Sequence, residues 1–406
     1  MRVVFVAQRL VSPPDGGTPI RNYNLILRAA EHHQVYAYGF SDPRLWPHAL
    51  QEAGVQLRLL PSPPARSLRQ RFRAMLASSE PDMARRSHSL ELLRLLAGEL
   101  PGVSPDIVQV QALDMAYVLP TVRRAVPEAS VILDQHNAEY VLQRRALAVD
   151  LTRPRRWPMA AYSAWQWLSL RRYERRVCQQ CDAVLAMSEQ DALALRALGV
   201  DTPIAVVPNG VDLASYVAAP PAEEVTRLPG PHFVFPGKMD FRPNVDAALW
   251  FARSVFPLIR RCIPDARFWV VGREPNRHVL SLQNLPNVHI TGEVPDVRPY
   301  VSAATAVVVP LRIGAGTKLK ILEAAALRRP LVATSVAMEG YDAVAGRDAL
   351  VADTSDGLAA ACIEVARNEP LAAALGAAAY RNLAQPLDWR HVYARLETVY
   401  ARSISD

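Results

Sequence analysis

The stretch GAGTKLKILEAAALRRP, residues 314–330, decides the fold. It follows a short β-branched run, AVVVPL (306–311), and itself reads as a helix beginning at Thr317. Strand, glycine-bearing turn and helix start form one unit. Gly314 and Gly316 let the backbone approach a ligand closely. The first helix amides, expected at Thr317, Lys318 and Leu319, lack intrahelical acceptors and carry partial positive charge. Such a turn is an anion site, and Lys318 adds a full charge. In an open α/β sheet it lies at the carboxyl end of its strand, where ligands bind.

The choice of lysine there is unusual for this chain. Of 46 Lys and Arg residues only three are lysine: Lys238, Lys318 and Lys320. Lysine is a compact, flexible point charge suited to phosphate. Lys238 stands in FPGKMDFRPNVD, directly after the strand HFVFPG (232–237), so it occupies the same place in its own unit as the 314–318 turn. These two lysines are expected at one sheet edge. Lys320 precedes Glu323 by three residues and reads as half of an ordinary surface pair. Glu323 follows Leu319 by four and shares its helix face. A carboxylate there suits two ribose hydroxyls, and equally a solvated helix position.

The strand–helix alternation extends over the whole chain. VVFVA (3–7), QVYAYGF (34–40), VQLRLL (55–60), IVQVQA (107–112), SVILDQH (130–136), AVLAMS (183–188) and IAVVP (204–208) read as strands. So do HFVFPG, RFWVVG (267–272), VHITG (288–292), AVVVPL and PLVATS (330–335). Many are apolar throughout, as parallel strands covered on both faces are. Helical patterns such as 244–262 lie between them, which argues for a parallel α/β architecture. Residues 217–231, VAAPPAEEVTRLPGP, read as a linker, and 387–404 as a last helix without a following strand.

With 406 residues, half of them apolar, the chain suits two soluble domains. Four scattered cysteines exclude a disulfide framework. Cys178 and Cys181 in CQQC read as helical thiols, with redox or metal chemistry as the sharper alternative. The N-terminal MRVVFVAQRL is too short for a signal peptide, and no run approaches the ~18 apolar residues of a spanning helix. A cytoplasmic location is the expectation.

Net charge is +7, and residues 141–176 alone hold nine arginines against Asp150 and Glu174. The segment 144–177 also carries Trp157, Trp165 and Trp167. Arginine for anionic headgroups with tryptophan for the interface is a membrane-surface composition, and RSLRQRFRAM (66–75) is placed on the same surface. The alternative is a solvated helical face with tryptophan turned inward. No nucleic-acid module accompanies it, so nucleic acid is not a partner.

The motifs VVPNGVD (206–212), PGKMDFRPNVDAA (236–248), FWVVGREP (268–275), ITGEVPDVRPY (290–300), VVVPLRIGAGTKLKILEAAA (307–326) and PLVATSVAMEG (330–340) occur in this order. Together they resemble the retaining glycosyltransferases of family 4, which have the GT-B fold. SPPDGGTPIRNYNL (12–25) and ILDQHNAEY (132–140) extend the resemblance to the first half. It implies an α/β fold of two Rossmann-like parallel-sheet domains facing a cleft. Residues 1–215 would bind the acceptor, 216–385 the nucleotide sugar, and 386–406 would form a helix crossing back to the first domain.

By motif, Glu323 resembles the carboxylate that binds the donor ribose. Lys318, with Gly314, Thr317 and Leu319, matches the diphosphate loop. Gly272, Arg273 and Val294 lie in the loops that would hold the base. Gly16 and Gly17 resemble the glycine loop that closes on the donor, and His136 the histidine near the transferred sugar, with Arg21 and Asn137 on the acceptor side. A lone histidine is otherwise as well read as structural. Many members carry a glutamate eight residues before the ribose carboxylate, where this chain has Ala315, so Ala315 and Gly316 main chain would hold the sugar. Where many carry Arg and then Lys, this chain has Lys238 and Pro243, with Arg242 beside it. The GAGTKLKILEA form resembles a subgroup in exopolysaccharide and cell-surface sugar pathways.

The expected reaction is retaining, front-face transfer from a nucleoside-diphosphate sugar, UDP- or GDP-linked, to a hydroxyl of a glycan, lipid-linked glycan or small-molecule glycoside. Lys238, Arg242, Lys318 and the helix start would stabilise the leaving diphosphate. There is no Asp-x-Asp metal pair and no cofactor motif, so metal-free transfer is expected. Alternatives are a GT-B sugar-nucleotide epimerase or an inactive sugar-nucleotide-binding protein. A nicotinamide oxidoreductase is disfavoured, because the first strand leads into AQRLVSPPDGG and not G-x-G-x-x-G.

Overall fold

The computed structural model describes residues 1–12, 14, 16–64, 66–67, 80–151, 157–216, 219–314 and 316–405. They form two units: Met1–Pro208 with Trp389–Asp406, and Asn209–Asp388. The first contains strands β1 (Arg2–Ala7), β2 (Gln34–Ser41), β3 (Gln56–Pro61), β4 (Ile107–Gln111), β5 (Ser130–Gln135), β6 (Ala183–Ala186) and β7 (Ile204–Val206). They make one sheet in the order β3-β2-β1-β4-β5-β6-β7, parallel throughout. The second contains β8 (His232–Pro236), β9 (Arg267–Val271), β10 (Val288–Gly292), β11 (Ala306–Val309), β12 (Leu331–Ala333) and β13 (Leu350–Val351). Its order is β10-β9-β8-β11-β12-β13, again parallel.

The twelve expected strands all form; β13, two residues long, is too short to leave a pattern. The apolar runs are explained by burial. Every residue of β4, β5, β8 and β11 is buried, because helices cover both faces. In each sheet the strand order reverses once, between β1 and β4 and between β8 and β11. A crevice opens at the carboxyl ends of the strands at such a reversal, which fixes where a ligand site belongs in each unit.

The helical stretch from Arg242 to Cys262 is continuous but widens to a π-turn over Phe251–Val255. The wide turn precedes Pro257, which has no N–H for the helical ladder. The last helix, Trp389–Ser405, buries Trp389, Val392, Tyr393, Leu396 and Tyr400 along one stripe. In the first unit it packs on the helix Gly17–Ala30, and Tyr400 Oη hydrogen-bonds Gln109 of β4.

Arg21, expected on the acceptor side from its motif position, is held inside this unit. It is fully buried. Its Nε and Nη2 donate to the Asp134 carboxylate at 2.8 and 2.9 Å. Its Nη1 and Nη2 also donate to the carbonyls of Pro208 and Val207, each at 2.8 Å. The guanidinium fork thus clamps the end of β5 to the chain leaving β7, with no face turned to a ligand. Breaking a buried pair leaves a buried charge uncompensated, at about 3–5 kcal/mol. Arg21→Ala should lower the unfolding free energy read from urea titration by that amount. A variant of unchanged stability that lost only turnover would return Arg21 to the acceptor site.

Candidate functional site

The second unit's site is built around the close passage of two loops. Gly272 follows β9 with φ 143, and a Cβ there would stand 2.0 Å from the Gly237 carbonyl oxygen. Only glycine permits this approach. Met239 N–H then donates to the Arg273 carbonyl at 2.9 Å, tying the loop after β8 to the loop after β9. Lys238 points out from this junction. Its Nζ lies 3.1 Å from Asp240 and 2.9 Å from Glu274, so two carboxylates already surround it. Arg242 is exposed at the first turn of its helix.

The helix after β11 spans Leu319–Ala326, shorter at both ends than the expected 317–329. Lys318 is its N-cap, in extended conformation. Among the described residues the unpaired first amides are therefore those of Leu319 and Lys320, the helix starting two residues later than read from the sequence; Ile321 N–H already bonds the Lys318 carbonyl at 2.9 Å. Lys318 is buried, and its carbonyl also accepts from Tyr341 Oη at 2.9 Å. Thr317 Oγ1 accepts from Asn209 Nδ2 at 3.1 Å. Gly314 and Gly316 flank Ala315, which lies outside the described residues.

Glu323 is not a solvated helix carboxylate. Burial pushes it above its usual range, opposed by Lys320 and by the Tyr216 hydroxyl, which donates at 3.4 Å. Tyr216 comes from the segment after VVPNGVD, and Arg298 lies over its ring at 5.8 Å. Lys320 is not a surface residue either. Its ammonium sits 4.1 Å from the Phe235 ring centroid and donates to Asn244 Oδ1 at 3.0 Å. Val294 packs at the margin of the apolar core. Sequence reasoning missed Asn209, Tyr216, Asn244 and Tyr341; Asn209 and Asn244 stand inside quoted motifs and Tyr216 and Tyr341 follow them, but nothing in spacing reveals their partners.

In the first unit a cavity of about 50 Å³ opens at the β1–β4 reversal. Gln8, Thr18, Arg86, Asp114, Gln135, His136, Asn137 and Glu139 contribute to its lining. His136 Nδ1 faces Thr18 Oγ1 at 3.2 Å, and Nε2 lies 3.8 Å from Asp134. Burial pulls its pKa down to about 4, so the imidazole is neutral at ordinary pH. Asp114 pairs with Arg86 at 3.1 Å and accepts from Ser87 Oγ at 3.2 Å. Among the described residues, Asp114 Oδ1, Gln135 Oε1 and His136 Nε2 are buried without a hydrogen-bond partner. Such atoms suit a hydroxylated ligand. Asn137 Nδ2 donates to Glu139 at 3.3 Å. Gly16 and Gly17 sit at the start of the helix Gly17–Ala30, one turn before Arg21.

Glu174 positions this pocket from behind. It is fully buried and accepts from Gln135 Nε2 at 2.5 Å and from the amides of Glu139 and Tyr140 at 2.8 and 2.9 Å. It thereby caps the helix Glu139–Leu151 directly after the histidine loop. Cys178 ends the helix Trp157–Cys178, and Cys181 lies in the turn beyond. Both thiols are free and buried, and burial pushes Cys181 up to about 12, so neither is a reactive thiolate. Among the described residues, no group of three or more His, Cys, Asp or Glu is placed to hold a metal ion.

Two family models match the chain: Glycosyltransferase Family 4 over residues 16–215, and Glycosyl transferases group 1 over residues 230–368. The chain is a glycosyltransferase of the GT-B type. No curated protein matches the transferase by sequence. Among solved structures it is similar to Anabaena HepE in complex with UDP and glucose, at 14% identity, covering 99% of this chain and 100% of that one, TM-score 0.70. It is also similar to sucrose-phosphate synthase from Thermosynechococcus elongatus, at 16% identity over 100% and 99%, TM-score 0.71. WaaG, a glycosyltransferase involved in lipopolysaccharide biosynthesis, matches at 16% over 98% and 99%, TM-score 0.62. At these identities the likeness is one of fold.

The Glu174 capping contact carries a pH dependence. Burial and then the Glu139 carboxyl push Glu174 up to about 8. The folded transferase therefore holds a proton that the unfolded chain releases above about pH 4.5. Stability from this group is complete below the ordinary carboxyl range and is lost as pH rises towards 8. Melting temperatures across that window should fall more steeply for the wild type than for Glu174→Gln. Identical slopes would remove Glu174 as the source.

Proposed function

We propose that the transferase moves a sugar from a UDP- or GDP-sugar, UDP before GDP, to a hydroxyl of a glycan or lipid-linked acceptor. The transfer would retain configuration and need no metal. The observation that carries this is the pairing, at the β8–β11 reversal, of a cationic helix start with Glu323. Lys318 and the amides of Leu319 and Lys320 suit a diphosphate, and Glu323, with Tyr216 behind it, suits ribose hydroxyls. The HepE complexes with UDP and with UDP-glucose favour the uridine base. The loops holding Gly272, Arg273 and Val294 would receive that base. Lys238 and Arg242 would add charge at the rim.

On the acceptor side the reading assigns His136, Asn137 and the Gly16–Gly17 turn. A neutral His136 with its Nε2 open would orient hydroxyls and would not take the proton. The leaving diphosphate oxygen would accept the acceptor's proton as the sugar–oxygen bond breaks on the same face. Exopolysaccharide or cell-surface glycan assembly fits this chemistry, on the cytoplasmic side of a membrane.

Membrane contact is part of the proposal. The helices Glu139–Leu151 and Trp157–Cys178 pack on each other. Leu151, Trp157 and Leu168 are exposed, as are Arg144, Arg145, Arg171, Arg172, Arg175 and Arg176. Trp165 and Trp167 are half-buried, so Trp157 is the tryptophan available to an interface. Residues 152–156 and most of 66–75 lie outside the described residues. Among the described residues no helix is long and apolar enough to cross a membrane.

Release of nucleoside diphosphate from UDP-, GDP-, ADP- and dTDP-sugars, with chelator and an acceptor extract present, tests the reaction. One donor should turn over. Glu323→Ala and Lys318→Ala should each lower the rate by about 100-fold, as losing a charge-stabilising group does. Binding without release would favour a sugar-nucleotide-binding protein, and loss with chelator would overturn metal independence. For the helical pair, flotation with anionic liposomes at low salt should carry the protein upward, less so for Trp157→Ala with Arg171→Glu. Equal behaviour with neutral liposomes would end the membrane proposal.

A further inference from the structure

The three lysines are divided differently by the fold than by the sequence. Lys238 is half-exposed and already held by Asp240 and Glu274. Lys320 lies on the first turn of the helix Leu319–Ala326, two residues after its N-cap. Its side chain runs back to the carboxyl end of β8. There Nζ sits over the Phe235 ring and donates to Asn244 Oδ1. A Cβ at Gly237 would stand 2.8 Å from this ammonium and 2.9 Å from Asn244 Nδ2. Gly237 therefore leaves the space that Lys320 fills. Asn244 is itself held in place, since its Nδ2 donates to the Lys238 carbonyl at 2.9 Å.

An ammonium has three N–H donors. Among the described residues, Asn244 Oδ1 is the hydrogen-bond acceptor of Lys320, and the aromatic ring takes one face. A half-buried cation so placed, at the β8–β11 reversal beside the unpaired amides of a helix start, is short of anionic company. The groups around it are Phe235 from β8, Asn244 from the helix beginning at Arg242, and Glu323 on its own helix. Of these, only Glu323 is charged, and it is the carboxylate assigned to the donor ribose.

We propose that Lys320 is a further diphosphate-binding residue of the donor site, reaching it past Gly237, and that donor binding draws a proton onto its amine. This rests on the donor reading above. Burial, opposed by Glu323, pulls Lys320 down to about 7, so at neutral pH the resting amine is part neutral. An incoming diphosphate favours the charged form. The proton comes from the buffer, and no covalent bond changes.

Titration calorimetry with UDP-glucose, in buffers of different ionisation enthalpy, reads the proton directly. The diphosphate of this probe is esterified at both ends and does not itself titrate near neutrality. Wild type should take up about half a proton at pH 7, more near pH 8 and almost none near pH 5.5. Lys320→Met fills similar space without charge; it should abolish the uptake and weaken binding roughly tenfold or more, the loss of a hydrogen bond to a charged group. Wild-type binding without uptake at any of these pH values would overturn the proposal, and this arm stands even if the variant fails to fold. Unchanged uptake and affinity in a folded Lys320→Met would overturn it equally. If wild type bound no UDP-glucose at all, the uridine-donor reading would fall first and this inference with it.

Discussion

The site in the second unit depends on how closely the Gly237 carbonyl passes the α-carbon of Gly272. A side chain at residue 272 would force the loops after β8 and β9 apart. The bond from Met239 N–H to the Arg273 carbonyl could not then form. With the loops together, Asn244 and Lys320 meet under Gly237, and Lys238 is turned towards Asp240 and Glu274. One backbone contact thus settles which lysine is interior and which is at the rim. Charge placement here follows from backbone packing and not from the order of residues in the chain.

The use of lysine in so arginine-rich a chain has a physical reason at Lys320. Arginine presents a rigid planar fork that needs several acceptors and stays charged. Arg21 shows what such a fork demands: a carboxylate and two carbonyls, all buried. Lys320 is not offered that many: among the described residues its hydrogen-bond acceptor is Asn244 Oδ1. The narrow space under Gly237 accommodates the thin end of a lysine, and an ammonium whose charge can be set aside costs less to half-bury. Lys238, exposed between two carboxylates, meets no such constraint.

Much of this was legible in the sequence because parallel strands buried on both faces write apolar runs that stop at glycine or proline. The reversal of strand order was not legible. It depends on which strands pair, and pairing across hundreds of residues leaves no local trace. Nor were the partners of Arg21 and Lys320. Arg21 was placed on the acceptor side by its motif, yet its place on the helix Gly17–Ala30 aims it into the sheet at Asp134. Lys320 looked like a surface residue because Glu323 lies three positions on; the burial that moves it inward comes from β8 and Asn244, about 80 residues away in sequence. The helix start was misplaced because the extended conformation of Lys318 answers to the turn before it.

The two units solve opposite electrostatic problems, and the contrast bears on the proposed chemistry. The second gathers positive charge at a strand reversal, where a leaving diphosphate would gain negative charge. The first gathers a neutral imidazole, two carboxyls that burial pushes up, and buried oxygen and nitrogen atoms without partners. Raised pKa values make Glu139 and Glu174 stronger bases than free carboxylates, whereas His136 at about 4 is too weak to take a hydroxyl proton near neutrality. It can still accept a hydrogen bond. In the first unit, then, any base would be a buried carboxyl and not the imidazole.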